Sequence, residues 1–253
     1  MIVGAYRDAE HRYQWNDSGI LPSVTTVAKI MDKSGPLVGW AKRITAEAAV
    51  SHAEDIPKWV AMSGPTGAAD LLTKAADYKR DTAADLGSAI HNIADRIVKR
   101  QEFSVSPEQE PFVASYLRFI TDWAPEFKLV EAMVFSLTHR YAGTLDLVCK
   151  IDGETWLLDI KTGKGIYPDM ALQLAAYGYA EFVGYPGDPT EYAIPDIDRW
   201  GILHVRPEAY KLHPMAVDRE TYGAFLAARA LFDWNATAKG RLGPEHVKGA
   251  VLV

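Results

Sequence analysis

The clearest signal in the pattern of hydrophobic and polar positions lies between Asp81 and Gln101. There Leu86, Ile90, Ile93 and Ile97 recur at offsets of four, three and four and line one buried face of an α-helix. A second helix is predicted from Pro107 to about Trp123. Period two then takes over: Lys128 to Leu137 alternates weakly, Gly143 to Ile151 reads as a strand, Asp152-Gly153 is a favoured tight turn, and Glu154 to Lys161 is the returning strand of a hairpin. After a Gly163 to Pro168 loop, Asp169 to Val183 is predicted helical, Arg199 to Arg206 and Tyr210 to Val217 are predicted strands, and Asp218 opens a closing helix to about Ala238. Upstream the pattern is less regular. Tyr6 to Trp15 has weak period-two character, and Ser23 or Thr25 is placed to cap a helix running toward Met31. The alanine-rich stretch Trp40 to His52 is followed by Pro57, Gly64, Pro65 and Gly67, which predict short helices and loops down to about Ala69. The expected architecture is α/β, a single domain with a mostly helical N-terminal extension over 1–78, a core with a mixed central sheet flanked by helices over 79–217, and a C-terminal helix and tail over 218–253.

Composition narrows the class without naming a function. With 253 residues, 48% hydrophobic and 24% charged, the chain can bury a sizeable core, which excludes disordered, collagen-like and disulfide-scaffold classes. No apolar run approaches the roughly 18 to 20 residues of a membrane span, and the N-terminus lacks the order of a signal peptide, so a cytoplasmic chain with no membrane partner is expected. The single cysteine, Cys149, cannot make an internal disulfide or by itself a Cys-ligated zinc site or iron-sulfur cluster, so any metal must sit on oxygen and nitrogen ligands. The net charge of -6 argues against a generally sticky nucleic-acid binder, although a cluster of metal-binding carboxylates would itself contribute to that total. No Walker A string occurs, which leaves the chain without a motor of that kind.

The most informative segment is Tyr141 to Gly165. Asp146 and Asp159 flank the Asp152-Gly153 turn at comparable distances and so can meet across the hairpin, while Asp159 and Lys161, two apart, project from one face. Carboxylates are the ligands a hard divalent ion prefers, and a lysine beside that ion can orient or deprotonate water and offset charge on a phosphate. The bland alternative is a surface hairpin with a cross-strand salt bridge, worth little. The apolar setting Leu157-Leu158-Asp159-Ile160-Lys161 disfavours it, because burying charges without a functional return is costly.

The strings Gly143-Thr144-Leu145-Asp146, Asp159-Ile160-Lys161-Thr162-Gly163 and Gln173-Leu174-Ala175-Ala176-Tyr177, preceded by Gly87-Ser88-Ala89-Ile90-His91, resemble in order and spacing the PD-(D/E)XK nuclease superfamily, in particular its RecB-like branch. The match covers residues 85 to 180, and the whole chain, with Pro22-Ser23-Val24-Thr25-Thr26 and Trp40-Ala41, is similar to small phage-encoded exonucleases. That resemblance implies a restriction-endonuclease-like core and a metal-dependent DNA exonuclease using Mg²⁺ or Mn²⁺, in phage or bacterial recombination, repair or replication. It implies DNA as substrate, the cytoplasm of a bacterium or infected host as location, and a single-strand annealing, helicase or replication protein as a partner. By the same resemblance Asp146, Asp159, the carbonyl of Ile160 and His91 are metal ligands, Lys161 is the catalytic lysine, and Gln173 with Tyr177 positions substrate phosphate or supports the lysine. Relatives that hold an iron-sulfur cluster do so with four cysteines, so that cofactor is not expected here.

Residues outside these strings are read more openly. Glu131 either supports a second metal or solvates an edge strand, and Asp85 reads more readily as a helix-surface charge than as a ligand. Gly87 costs about 1 kcal/mol against alanine inside a helix, which marks a close approach by backbone or ligand. Trp40, Lys42, Arg43, Lys79 and Arg80 combine an aromatic platform with phosphate-seeking charge and form a candidate DNA channel, with Arg80 foremost; the alternative is a solvated helix face. Two further functions stay open: a structure-specific endonuclease of the same fold, and an inactive nucleic-acid-binding or assembly protein.

Overall fold

The computed structural model describes residues 2–31, 34–241 and 243; the expected C-terminal tail over 244–253 lies outside the described residues. The chain begins with two short strands, β1 (Ala5–Arg7) and β2 (Tyr13–Trp15), then helices α1 (Val24–Ala28), α2 (Ser34–Ser51), α3 (Ile56–Val98) and α4 (Glu110–Trp123). Strands β3 (Glu126–Ser136), β4 (Tyr141–Ile151) and β5 (Glu154–Lys161) follow, then α5 (Met170–Gly178), β6 (Phe182–Tyr185), β7 (Asp188–Tyr192), β8 (Arg199–Val205), β9 (Tyr210–Pro214) and α6 (Arg219–Thr237).

Seven strands form one mixed sheet in the order β7-β6-β3-β4-β5-β8-β9, in which only β5 and β8 run parallel. The β4–β5 turn has positive φ at both Asp152 (49°) and Gly153 (87°), the geometry for which Asp-Gly is selected. One face of the sheet packs on α3 and α4 through Ile90, Ile93, Phe112, Val113, Tyr116 and Phe119; Cys149 is buried here. The other packs on α1, α5 and α6 through Val24, Val27, Leu174 to Tyr177, Tyr222 and Phe225. A smaller cluster seats the β1–β2 hairpin on Phe135, Ala142 and Phe182. Two helices are capped as their sequences suggest: Ser23 Oγ accepts from Thr26 N at 3.0 Å, and Asp218 Oδ1 from Thr221 N at 2.8 Å.

Two expectations need correction. The predicted Asp169–Val183 helix ends at Gly178, and Phe182–Tyr185 becomes β6, because the apolar Phe182-Val183 pair finds a better place against Val134 and Phe135 of β3. The short helices and loops expected before Ala69 are instead two long helices. Proline and glycine break α3 at one point only, Gly64 (φ 72°, ψ 172°), after which Pro65 restarts it. The boundary between extension and core at 78/79 therefore falls inside a continuous helix, and the extension also contains the β1–β2 hairpin. Among the described residues no helix is long and apolar enough to cross a membrane.

Candidate functional site

The β4–β5 ladder runs from Ile151↔Glu154 to Leu147↔Leu158 and stops. The next positions in register are Asp146 and Asp159. There the strands part, and the Ile160 N–H donates to Asp146 Oδ2 at 2.6 Å, so a side-chain carboxylate takes the place of a ladder carbonyl. On the other side of β4, Asp146 stands in register with Glu131, between the pairs Val130↔Leu147 and Ala132↔Leu145. Glu131 has φ 47°, costly for a non-glycine residue. The alternation of faces slips at this point: Val130 and Leu147 pack in the α3/α4 core, whereas Ala132 and Leu145 pack in the opposite one. Residues two apart in a regular strand share a face, so this irregularity re-aims both carboxylates.

They meet His91, which α3 brings over from one face of the sheet. His91 Nδ1 lies 3.3 Å from Asp146 Oδ1 and 3.8 Å from Glu131 Oε1, and the three residues each offer a ligand atom within 4.8 Å of the others. Burial opposes a charge on His91, but Asp146 and Glu131 outweigh it and hold the imidazole pKa well above its ordinary value. Burial likewise works to raise Asp146, yet His91, Lys161 and the Ile160 N–H together hold it below the usual carboxylate range. Glu131 is raised, by burial first and then by Asp146. The carboxylates around His91 thus favour positive charge at this position.

The second half of the site comes from the opposite face. Asp159, 1% exposed, has its Oδ2 2.5 Å from Lys161 Nζ and accepts from Gln173 Nε2 at Oδ1, 2.7 Å away. Gln173 also donates to the Tyr177 hydroxyl at 3.0 Å, as residues four apart on one helix face can. Burial pushes the Asp159 carboxyl up to about 6, Asp146 adding to the effect and Lys161 opposing it. Burial also drives the Tyr177 phenol well above its ordinary value, so it stays neutral. Two glycines permit this packing. A Cβ on Gly143 would come within 2.6 Å of the Tyr177 ring, and one on Gly87 within 3.2 Å of Thr162 Oγ1, a side-chain hydroxyl rather than the backbone or ligand that its place in a helix suggested.

His91, Glu131, Asp146, Asp159, Ile160, Lys161, Gln173 and Tyr177 all line one cavity of about 950 Å³. The geometric triad contains Glu131, whose role the sequence left undecided, whereas Asp159 stands beside it, engaged by Lys161 and Gln173. None of Trp40, Lys42, Arg43, Lys79 and Arg80 lines the cavity. Arg80 is bound to its helix neighbours Asp77 (2.8 Å) and Asp81 (2.9 Å), and Arg43 and Lys79 both turn to Glu47, so these charges are neutralised locally; Lys42 is exposed and Trp40 half-buried on α2. Arg7, which sequence reasoning missed, does line the cavity, from the β1–β2 hairpin. It reaches Thr144 Oγ1 (3.4 Å) and His11 Nδ1 (2.8 Å), while the Tyr13 hydroxyl also bonds Thr144 Oγ1 (2.9 Å). Asp95, four residues after His91, is a further lining carboxylate, paired with Lys99. The weak alternation of Tyr6 to Trp15 was the signal for the hairpin; nothing local marked Arg7. Compared with family models and with curated proteins, the chain matches none.

Proposed function

We propose that this chain is a metal-dependent nuclease with a restriction-endonuclease-like core, hydrolysing DNA phosphodiesters and working from ends. The observation that carries this reading is the convergence of His91, Glu131 and Asp146 within 4.8 Å of one another, beside a buried Asp159–Lys161 pair, on the wall of a cavity. The donor set fits a divalent ion: two carboxylates and an imidazole converge, and the neighbouring Asp159 Oδ2 is buried without a hydrogen-bond donor in good geometry, only the ammonium alongside. Hard oxygen ligands suit Mg²⁺, and an imidazole among them makes Mn²⁺ acceptable. When bound, the ion supplies Lewis acidity toward phosphate and water.

The remaining work falls to the chain. Lys161, anchored by Asp159, presents an ammonium that can exchange a proton with water or neutralise charge gathering on a phosphate oxygen. Gln173 fixes the Asp159 carboxylate and thereby the lysine. Arg7 faces the cavity from the hairpin and can hold a second phosphate oxygen. The cavity lies between that hairpin and the Gly87–His91 turn of α3, a frame suited to a single strand entering by its end. A role in recombination, repair or replication, alongside a DNA-processing partner protein, is consistent with that substrate.

The test is cleavage of end-labelled linear single- and double-stranded DNA beside covalently closed circles, with Mg²⁺, with Mn²⁺ and with chelator. Progressive shortening of linear DNA that stops with chelator is expected. Efficient cutting of circles would replace exonuclease by endonuclease, and binding without cleavage under every condition would replace catalysis by a binding role.

A further inference from the structure

The sheet face that carries Asp159 and Lys161 continues past them to the β9 edge. Lys161 on β5 stands in register with His204 on β8, and His204 with Lys211 on β9; one pleat along, Asp159 faces Ile202, and Ile202 faces His213. Neighbours in register point to the same face, so Lys161, His204 and Lys211 make a row across three strands, with His213 beside it. At about 4.8 Å per strand, the row spans roughly 10 Å from the backbone of Lys161 to that of Lys211.

This row borders a second cavity, of about 570 Å³, closed on one side by the Lys164–Pro168 segment. Lys164, Tyr167, His204, Lys211 and His213 line it, and among the described residues no Asp or Glu does, in a chain of net charge -6. Among the described residues the lysines found in ion pairs are Lys58, Lys79, Lys99, Lys128 and Lys161; neither Lys164 nor Lys211 joins them. His213 Nε2 is buried and has no hydrogen-bond partner, an uncommon state for a polar atom. The partition between the two cavities is held in place: His204 Nε2 donates to the Gly163 carbonyl at 2.7 Å, and the Arg206 guanidinium donates to the carbonyl of Thr162. Tyr167, on the same segment, is 56% exposed.

We infer that the second cavity is a phosphate subsite for the nucleic-acid strand, in which Lys164 and Lys211 hold the backbone beyond the catalytic cavity and Tyr167 offers a stacking face to a base. The inference rests on the nuclease reading of the neighbouring site and adds to it a direction, since it sends the strand across β8 toward β9.

The experiment measures binding of a fluorescent single-stranded oligonucleotide by the full chain in chelator across a range of salt, and then kcat and KM for degradation with Mn²⁺. Lys164→Ala/Lys211→Ala is compared with wild type, with Lys164→Arg/Lys211→Arg, and with Lys74→Ala/Lys150→Ala, which removes the same charge elsewhere on the exposed surface. The expected result is roughly tenfold weaker binding, a salt slope shallower by about 1.4 for two lost phosphate contacts, and a raised KM with kcat within about twofold. The arginine pair should restore all three, and the control pair should change none. Wild-type degradation with an unchanged slope and KM in the Lys164/Lys211 variant would overturn the subsite while leaving the nuclease reading intact. A wild type that neither binds nor cleaves DNA would overturn both. Inorganic phosphate displacing the oligonucleotide equally well from wild type and from the alanine pair would also overturn the subsite, because the lysines would then not be the phosphate contacts.

Discussion

The helical arm made by α2 and the first half of α3 and the sheet end that holds the cavity are built on opposite principles. Between residues 34 and 78 the buried hydrophobic residues among those described are Ile44, Ala68 and Ala76, while Val50, Met62 and Tyr78 are 80%, 85% and 75% exposed. At the sheet end, charged groups are buried: Asp146 and Asp159 are 7% and 1% exposed and are held by the apolar layers on both faces. The arm keeps its charges in water and neutralises them with near neighbours, so each is worth little. The sheet end takes charges out of water, where each requires a partner and each partner is felt. Cationic residues that look alike in sequence, such as Arg80 and Lys161, therefore differ in what they can do.

The largest expected contrast between the two regions is catalytic. Asp159→Asn and Lys161→Ala should each lower cleavage by roughly 10²- to 10⁴-fold with the fold retained, whereas Trp40→Ala and Arg80→Ala should change it less than about threefold. Wild-type rates in both site variants would remove the site assignment, and a large loss in the arm variants would return the arm to the substrate path. His91→Ala should weaken Mn²⁺ binding by about tenfold or more in titration calorimetry while leaving DNA affinity in chelator nearly unchanged. Equal Mn²⁺ affinity and stoichiometry in the two proteins would make His91 a packing residue.

Stability should divide the molecule in the same way. Amide hydrogen exchange is expected to be at least about a hundredfold faster in α2 than in β4 and β5, since the arm has few buried apolar contacts; uniform protection would show that the arm folds with the core as one unit. Gly143→Ala should cost about 1 to 3 kcal/mol in denaturant unfolding, because its Cβ meets the buried Tyr177 ring, while Gly39→Ala on α2, where nothing stands in the way, should stabilise by up to about 1 kcal/mol. The smallest effect concerns Glu181, which accepts from Ser136 Oγ (2.7 Å), Thr138 N (3.0 Å) and Leu137 N (3.1 Å). Burial works to raise its carboxyl, but these donors hold it below the ordinary value of 4.5, so its contribution is present above that pH and is lost as acid protonates the folded form. Glu181→Gln should lower stability by about 1 kcal/mol at neutral pH, with the difference from wild type shrinking below pH 4.5. A difference that persists in acid would assign it to packing.

The hairpin from Tyr141 to Lys161 was legible because alternation and the Asp-Gly turn are local properties, and they bring Asp146 and Asp159 opposite one another without reference to the rest of the chain. Helix periodicity likewise placed His91. Glu131 was not legible: its role depends on a positive φ and a slip of faces that no residue type announces. The three-residue β1 and β2 are too short for periodicity to establish, and β6 was absorbed into a helix because a short apolar run serves either structure. The row from Lys161 to Lys211 was hidden for a different reason. It exists only once β8 is set beside β5, after a crossover that passes through α5 and the far edge of the sheet.

Cys149 gives these comparisons an internal clock. Its side chain is fully enclosed between the sheet and the α3–α4 layer, and burial lifts its thiol to about 12, so at neutral pH it is neither ionised nor reachable by an alkylating reagent. Modification of Cys149 must wait for that layer to open, and the rate at which reagent is consumed by the native chain reports the opening of the layer that carries His91. A second thiol introduced at exposed Val50 would react at once, and the ratio of the two labelling rates would weigh the arm against the core in a single sample.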